Sequence, residues 1–229
     1  MSGPQIVVHP SRDVMAAAVA DTVETALRHA LAARGRAHLA VPGGSTPGPF
    51  LTHLGQAALE WETVGITLTD ERWVPLSSDR SNQGMLSKTL FAGQAAAAEF
   101  VPLYGATAEP ADAIDGIAIA LRQIVLPLDV CVLGMGADMH TASLFPGGLG
   151  LEAALAPDAP PAALIRAPGA EEPRVTLTAP VLQAAKATHL LIQGADKRQA
   201  LDRAMAEADP MTAPVRVVLT PATTIHYAD

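Results

Sequence analysis

The chain of 229 residues is poor in aromatic side chains, in cysteine and in basic residues. Aromatic residues make up 3% of a chain that is 49% hydrophobic, so its core must consist mainly of aliphatic side chains and methionine. The single cysteine, Cys131, excludes an internal disulfide, and its place in an apolar run predicts a small buried core residue. Fifteen Lys and Arg oppose 23 Asp and Glu, and the net charge of −8 argues against nucleic acid or an anionic membrane as a partner.

Targeting and metal-binding signals are also scarce. No apolar run approaches the ~20 residues that a membrane span requires, and the N-terminus lacks the basic and apolar regions of a secretory signal. Six histidines show no metal-ligand spacing and are predicted to be structural or surface residues: His9, His29, His38, His53, His189 and His226. We therefore expect a cytoplasmic protein that forms one domain over residues 1–229, as a monomer or weak homodimer.

Strand and helix patterns alternate along nearly the whole chain. Apolar or alternating runs predict strands at 6–9, 38–41, 64–69, 130–133, 174–178, 189–193 and 215–219. Helical spacing follows most of them, beginning with a helix that Ser11 caps and Gly35 ends. Residues 156–173 are rich in proline and alanine and predict a surface loop. The alternation predicts an α/β fold, a Rossmann-like, mostly parallel sheet with helices on both faces.

The segment 129–147 is the centre of the prediction. It begins with an apolar run typical of a strand buried on both faces, and Gly134 and Gly136 then allow a sharp turn. Asp138 and His140 follow, and from Thr141 the pattern indicates the start of a helix. A histidine titrates near neutral pH, a nearby helix N-terminus would hold it neutral, and an aspartate could orient its ring. His140 is thus the candidate proton-transfer group.

A nucleophilic side chain is missing from this segment. No Gly-x-Ser-x-Gly elbow occurs in the chain, and Cys131 belongs to the predicted core. A water molecule activated by His140 is therefore the more natural nucleophile.

A glycine-rich turn precedes the second predicted helix. Gly43, Gly44, Ser45 and Thr46 lie between a strand and a helix, where backbone N–H groups and the helix dipole favour an anion. The turn is neither a Walker loop nor a dinucleotide fingerprint, so it implies neither ATP nor NAD. Phosphate binding and an ordinary capped turn both remain open.

Charged side chains follow other predicted strands. Asp70 and Arg72 directly follow the strand at 64–69. Arg72 could hold an anion or stabilise an oxyanion. It could also belong to a surface charge cluster. Asn82 could reach the same edge or only cap the next helix. Arg174 and Lys197 could each neutralise a phosphate or be solvated surface charges.

Five motifs in this order resemble the glucosamine-6-phosphate isomerase/6-phosphogluconolactonase family, and within it the lactonases. They lie at 43–47, at 69–75 with 81–82, at 134–147, at 174–178 and at 194–197. The resemblance implies the sugar-phosphate isomerase/deaminase type of fold and hydrolysis of 6-phospho-D-glucono-1,5-lactone to 6-phospho-D-gluconate. It places that reaction in the oxidative pentose phosphate pathway, with no cofactor and with a small phosphorylated lactone as partner.

The resemblance also implies roles for individual residues. His140 matches the catalytic histidine of the family, with Asp138 beside it, and Arg72 matches its active-site arginine. The substrate and its phosphate are expected to contact a larger set: Gly43, Gly44, Ser45, Thr46, Asp70, Asn82, Arg174 and Lys197. One departure is Met139, where the family usually has glycine. If that position has a positive φ, methionine costs on the order of 1 kcal/mol and could shift the histidine.

Two other functions compete with lactone hydrolysis. The isomerases and deaminases of this family carry a Phe-Asn-Glu-Pro run after the histidine, whereas residues 143–146 are Ser-Leu-Phe-Pro and contain no acid. A sugar-phosphate sensor is the second alternative, but the chain has no appended helix-turn-helix and is not basic. Both observations favour the lactonase.

Overall fold

The computed structural model describes residues 3–44 and 46–229. The strands within these ranges are β1 (Gln5–Val8), β2 (Ala37–Val41), β3 (Val64–Leu68), β4 (Asp70–Arg72), β5 (Glu99–Val101), β6 (Val130–Gly134), β7 (Ala162–Ile165), β8 (Arg174–Leu177), β9 (Ala187–Gln193) and β10 (Thr223–Ala228). The helices are α1 (Arg12–Arg34), α2 (Gly48–Gly55), α3 (Asn82–Lys88), α4 (Ile114–Ile124), α5 (Leu151–Leu155), α6 (Ala179–Gln183) and α7 (Ala195–Ala206).

The central sheet has seven strands in the order β1-β10-β9-β6-β2-β3-β5, and every pair is parallel. Chain order runs from β2 toward β3 on one side and from β6 toward β9 and β10 on the other. Because parallel crossovers are right-handed, this reversal puts the crossover helices on both faces. It also makes the gap between the carboxyl ends of β2 and β6 the topological switch point, where α/β sheets bind ligands. The predicted fold class is confirmed.

The core follows the predicted patterns. Residues 130–133 of β6 are fully buried, as expected for a strand covered on both faces. Helix α1 buries Met15, Val19 and Val23 completely. Ser11 accepts a hydrogen bond from the N–H of Val14 at 3.2 Å, and Gly35 ends the helix with φ of +70°.

A second sheet contains three antiparallel strands in the order β4-β8-β7. The sequence did not predict this sheet, and the prediction of a loop over 156–173 was wrong where β7 forms. The pairing of β4 with β8 places Arg72 opposite Arg174 and Asp70 opposite Thr176. Two predicted site residues are thereby brought side by side.

Two further predictions were wrong. The apolar run at 215–219 is not a strand, because Pro214–Val218 form a 3₁₀ helix and β10 takes the place between β1 and β9. Four of the five residues in this short run are apolar, so the sequence does not reveal a period and strand and helix cannot be told apart from it. The helix predicted from Thr141 starts only at Leu151. Positive φ values at Ala142, Gly147 and Gly150 interrupt the segment and prevent a continuous helix.

Candidate active site

A cleft of about 240 Å³ lies at the carboxyl ends of the central strands. Nine of the eleven predicted site residues line it: Gly43, Gly44, Thr46, Asp70, Arg72, Asn82, His140, Arg174 and Lys197. The tenth, Asp138, contacts His140 and is outside the lining. Ser45 lies outside the residues that the structure describes. The cleft therefore gathers side chains from the turns after β2 and β6, from the second sheet and from the starts of α3 and α7.

The imidazole of His140 is held by Asp138. The two side chains meet through Nδ1 and Oδ1 at 2.5 Å, and Oδ1 also accepts a hydrogen bond from the backbone N–H of His140 at 3.3 Å. Burial by itself would raise the pKa of the Asp138 carboxyl, but the hydrogen bonds and charge of His140 lower it below its ordinary value. An ionised carboxylate can only accept, so Nδ1 carries the proton and Nε2 is left as the basic nitrogen.

The loop that carries His140 is closed by backbone contacts. The N–H of Gly136 donates to the carbonyl of His140, and the N–H of Met139 donates to the carbonyl of Gly136, each at 3.0 Å. A Cβ at Gly136 would overlap the imidazole and the Asp138 carboxylate, so only glycine leaves room for the pair. Thr141 ties the end of the loop to β6, since its hydroxyl donates to the carbonyl of Gly134 at 2.8 Å.

Met139 occupies the left-handed region with φ of +68°. This is the positive φ at which a methionine in place of glycine is unfavourable. The backbone strain at Met139 is on the order of 1 kcal/mol. Two neighbours hold the turn: the Met139 carbonyl accepts from the N–H of Val215 at 3.1 Å, and Arg203 donates to the carbonyl of Ala137 at 3.0 Å. With these anchors the Asp138–His140 pair keeps its contact despite the strain.

The glycine-rich turn fits closely against Asn82. A Cβ at Gly43 would overlap the Asn82 side chain, whose amide donates to the carbonyl of Asp70 at 2.8 Å. Gly44 has φ of +94°, a conformation that favours glycine. Ser81, rather than Asn82, is the residue whose side chain caps α3, since its hydroxyl accepts from the N–H of Gly84 at 3.0 Å.

Glu71 is a structural centre of the site that the sequence did not single out. Its side chain is completely buried and its carboxylate accepts hydrogen bonds from the backbone N–H groups of Arg72, Asn82 and Gln83 at 2.7–2.8 Å. The Ser81 hydroxyl adds a contact at 3.2 Å. Burial raises the pKa of Glu71, while the three N–H groups oppose that rise. Glu71 thus joins the end of β4 to the start of α3.

Arg72 and Arg174 face the cleft with unsatisfied donors. The Nε of each is buried and has no hydrogen-bond partner in the described part of the chain. Arg72 also donates from Nη1 to the carbonyl of Arg80 at 2.6 Å. Burial lowers the pKa of Arg174, Asp70 opposes this shift, and Arg72 adds to it. Partly buried guanidinium groups with an unpaired Nε–H are suited to bind an anion.

The charge of the cleft is opposite to that of the chain. Arg72, Arg174 and Lys197 contribute three cations to the described lining, against the single carboxylate of Asp70. Ser143 donates to that carboxylate at 2.6 Å and so occupies one of its oxygens. In a protein with a net charge of −8, a local excess of cations attracts a small anionic ligand.

Residues 3–44 and 46–229 contain neither a metal-binding cluster nor a membrane-spanning helix. No group of three or more His, Cys, Asp or Glu side chains is arranged to hold a metal ion there. None of the helices described is long and apolar enough to cross a membrane.

A histidine–aspartate pair in a cleft with three cations, at the switch point of a parallel sheet, is typical of α/β enzymes that act on anionic ligands. The sequence model of the glucosamine-6-phosphate isomerases/6-phosphogluconolactonase family matches residues 10–227. The chain belongs to this family.

Curated relatives and solved structures agree with this membership. A 6-phosphogluconolactonase of Rhizobium meliloti (strain 1021) is 47% identical over 90% of this chain and 89% of the relative. One from Pseudomonas aeruginosa is 41% identical over 99% and 95%. The crystal structure of a 6-phosphogluconolactonase from Shewanella baltica OS155 has a TM-score of 0.94, with 31% identity and 98% of both chains covered. A monomeric glucosamine-6-phosphate deaminase shares the fold, with a TM-score of 0.81 at 13% identity over 97% and 96% of the chains.

Proposed function

We propose that the protein is a 6-phosphogluconolactonase, which hydrolyses 6-phospho-D-glucono-1,5-lactone to 6-phospho-D-gluconate in the oxidative pentose phosphate pathway. Its closely similar relatives carry that name and match this chain over most of their length. The observation that carries the proposal is the Asp138–His140 pair in a cleft with three cations. Hydrolysis of a phosphorylated lactone needs a base that activates water and a site that binds the phosphate.

Substrate binding starts with the phosphate. In our proposal it docks on the turn at 43–46 and on Lys197, where the N-terminus of α2 and a cation favour negative charge. Asp70, Asn82 and Arg174 complete the wall of the cleft against which the sugar lies. Binding at the phosphate end holds the lactone carbonyl in front of His140, which lowers the entropic part of the barrier.

The chemical step is a hydrolysis in which His140 moves one proton. Nε2 takes a proton from water while the water oxygen attacks the lactone carbonyl carbon, and Asp138 stabilises the resulting imidazolium. Arg72 or N–H groups of the turn stabilise the oxyanion. The tetrahedral intermediate then collapses with loss of the ring oxygen, which receives the proton from His140. The products are the ring-opened hydroxyl and the carboxylic acid, which releases its proton to solvent and becomes the carboxylate.

The experiment that tests this function compares His140→Asn with the unchanged protein. Lactone hydrolysis is measured above the spontaneous background, and binding of 6-phosphogluconate is measured separately by calorimetry. We expect turnover to fall by about 100-fold to 10,000-fold, the usual contribution of a general base, while ligand binding is largely kept. Near-normal turnover in the variant would refute the role of His140.

The isomerase or deaminase activity found elsewhere in the family is the main competing proposal. Residues 143–146 provide no carboxylate for ring opening, and the Ser143 hydroxyl donates to Asp70. Assays with glucosamine 6-phosphate and with the lactone on one preparation separate the two activities. Release of ammonia without lactone hydrolysis would favour the deaminase.

We propose one domain over residues 1–229 that acts in the cytoplasm as a monomer or weak homodimer. The match of a single family model to residues 10–227 supports one domain. Light scattering over a range of protein concentrations tests the state of association, and a tight tetramer would contradict it.

A further inference from the structure

Phe145 contacts two groups of the site at once. Its ring stacks on the imidazole of His140, with centroids 4.1 Å apart and an interplanar angle of 29°. The guanidinium carbon of Arg174 lies over the same ring system, 5.0 Å from its centroid. Phe145 itself does not line the cleft, so it is placed to act on a ligand through these two side chains.

The two restraints on His140 are complementary. Asp138 holds the ring at its edge through Nδ1, which leaves rotation about that contact open. Stacking on Phe145 restrains the plane of the ring, because tilting the imidazole would lose the contact between the faces. Edge and face together determine where Nε2 points into the cleft. A general base requires such a fixed direction toward the proton that it abstracts.

Arg174 depends on the same ring for a different reason. Its Nε has no hydrogen-bond partner in the described residues, so hydrogen bonds do little to fix the guanidinium. A guanidinium over an aromatic face gains a cation–π contact, which is stronger where burial removes water. The ring therefore holds the guanidinium of Arg174 at the cleft, where its N–H groups can bind an anion.

We propose that Phe145 is a positioning residue that aligns the base His140 and the anion-binding Arg174 by contact with both. The proposal rests on the proposed lactone hydrolysis for its kinetic consequences. Its structural content, that the aromatic ring orients the imidazole, does not depend on which substrate is used.

The test compares Phe145→Leu with Phe145→Tyr, which keeps the aromatic face. Phe91→Leu serves as the control, because Phe91 is a partly buried phenylalanine in an edge-to-face pair with Phe100 that does not line the cleft. Lactone hydrolysis gives kcat and KM for each variant. Nitrogen chemical shifts of His140, assigned by comparison with His140→Asn, report its tautomer and its titration without any substrate.

We expect Phe145→Leu to lower kcat by about tenfold or more, since general-base catalysis depends on alignment, and to raise KM through Arg174. In Phe145→Tyr both kcat and KM should stay near the values of the unchanged protein, and Phe91→Leu should change neither constant. The His140 shifts should change in Phe145→Leu alone, because the imidazole loses the contact that restrains the plane of its ring. Unchanged kcat and unchanged shifts in Phe145→Leu would overturn the proposal, as would equal losses in Phe91→Leu. Absence of lactone hydrolysis in the unchanged protein would refute the proposed function, and the His140 shifts would still decide the role of Phe145.

Discussion

The two ends of the cleft are built in different ways. At the catalytic end, Asp138, His140 and Phe145 belong to one short loop, and Gly136 of the same loop makes room for them. At the anion end, Gly43 and Gly44 lie in the cleft with residues from other elements. There the buried Glu71 joins β4 to α3, and Asn82 of α3 packs on Gly43. The side chains of the first end come from one loop, with Val215 and Arg203 as distant supports, whereas those of the second come from several elements.

This difference predicts that equally small changes at the two ends have different kinetic effects. An added methyl group is a suitable probe, because at both Gly136 and Gly43 a Cβ would meet only side-chain atoms of the site among its nearest neighbours. The site must then adjust while the rest of the fold is kept. The catalytic end should respond in kcat and the anion end in KM.

The largest effect is expected for Gly136→Ala. The new Cβ would overlap the imidazole of His140 and the carboxylate of Asp138, so the pair cannot keep its position. We expect kcat to fall by about 100-fold, comparable to the loss of a general base, with KM little changed. Steady-state kinetics and circular dichroism of the variant measure activity and fold together.

Gly116→Ala provides the matched control for this substitution. Gly116 is exposed on α4, and a Cβ there meets nothing within 4 Å. Alanine at this position should leave kcat and KM unchanged and stabilise the helix by about 0.5–1 kcal/mol. If Gly136→Ala loses no more activity than Gly116→Ala, the close fit of the catalytic loop is not required.

A smaller effect, on KM rather than on kcat, is expected for Gly43→Ala. Its Cβ would displace the Asn82 side chain, which holds the turn against the end of β4. Displacement should raise KM by about tenfold, or about 1.4 kcal/mol of binding, because the anion contacts move while His140 does not. Calorimetry with 6-phosphogluconate should show the same loss in affinity. A fall in kcat at unchanged KM would contradict the separation of the two ends.

The same difference explains how much of the site could be predicted from sequence. Asp138 and His140 are two positions apart, so their contact follows from a local motif. Arg72 and Arg174 were predicted only as separate candidates, because their pairing depends on a small antiparallel sheet with no local signal. Glu71 was missed for a related reason: its partners at 81–83 come from another element, and an acid between Asp70 and Arg72 suggests a surface charge cluster.

Prediction of the fold had similar limits. Helix α1 and strand β6 carry clear periodic or apolar patterns and were predicted closely. Strand β10 was missed because its residues, Thr223 to Ala228, mix polar and apolar types. It is paired on both sides by β1 and β9, so tertiary pairing outweighs its weak local pattern.

Acid sensitivity is predicted from a region outside the cleft. His9, His226 and His189 form a chain in which successive ring nitrogens are 3.1 Å apart. Burial lowers the pKa of all three, that of His226 to about 3, where the charges of His189 and His9 contribute further. A histidine with a lowered pKa binds fewer protons in the folded state. The free energy of unfolding should therefore fall as the pH drops below 6.5, the ordinary value for histidine.

The expected loss is on the order of 1 kcal/mol per pH unit below that value, measured by urea unfolding at several pH values. His226→Gln removes the central titrating ring and should flatten this dependence. The variant also separates effects of acid on the fold from effects on the cleft, because His226 lies outside the cleft lining and His140 is kept. An activity profile that stays unchanged while the unfolding profile flattens would separate the two effects; an unfolding profile that does not flatten would exclude His226 as the cause.

The smallest effect is expected for Met139→Gly. Glycine removes a left-handed strain on the order of 1 kcal/mol, but it adds about 0.5–1 kcal/mol of unfolded-chain entropy and loses the packing of the partly buried side chain. These contributions nearly cancel, so the free energy of unfolding should change by less than about 1 kcal/mol. The backbone contacts of residues 136 and 139 remain, and kcat should stay near its original value.

Met139→Val is the contrasting variant, because a β-branched residue tolerates positive φ poorly and should lower both stability and kcat. If glycine instead raised kcat severalfold, the methionine would be displacing His140, and the local contacts of the catalytic loop would be insufficient to hold it.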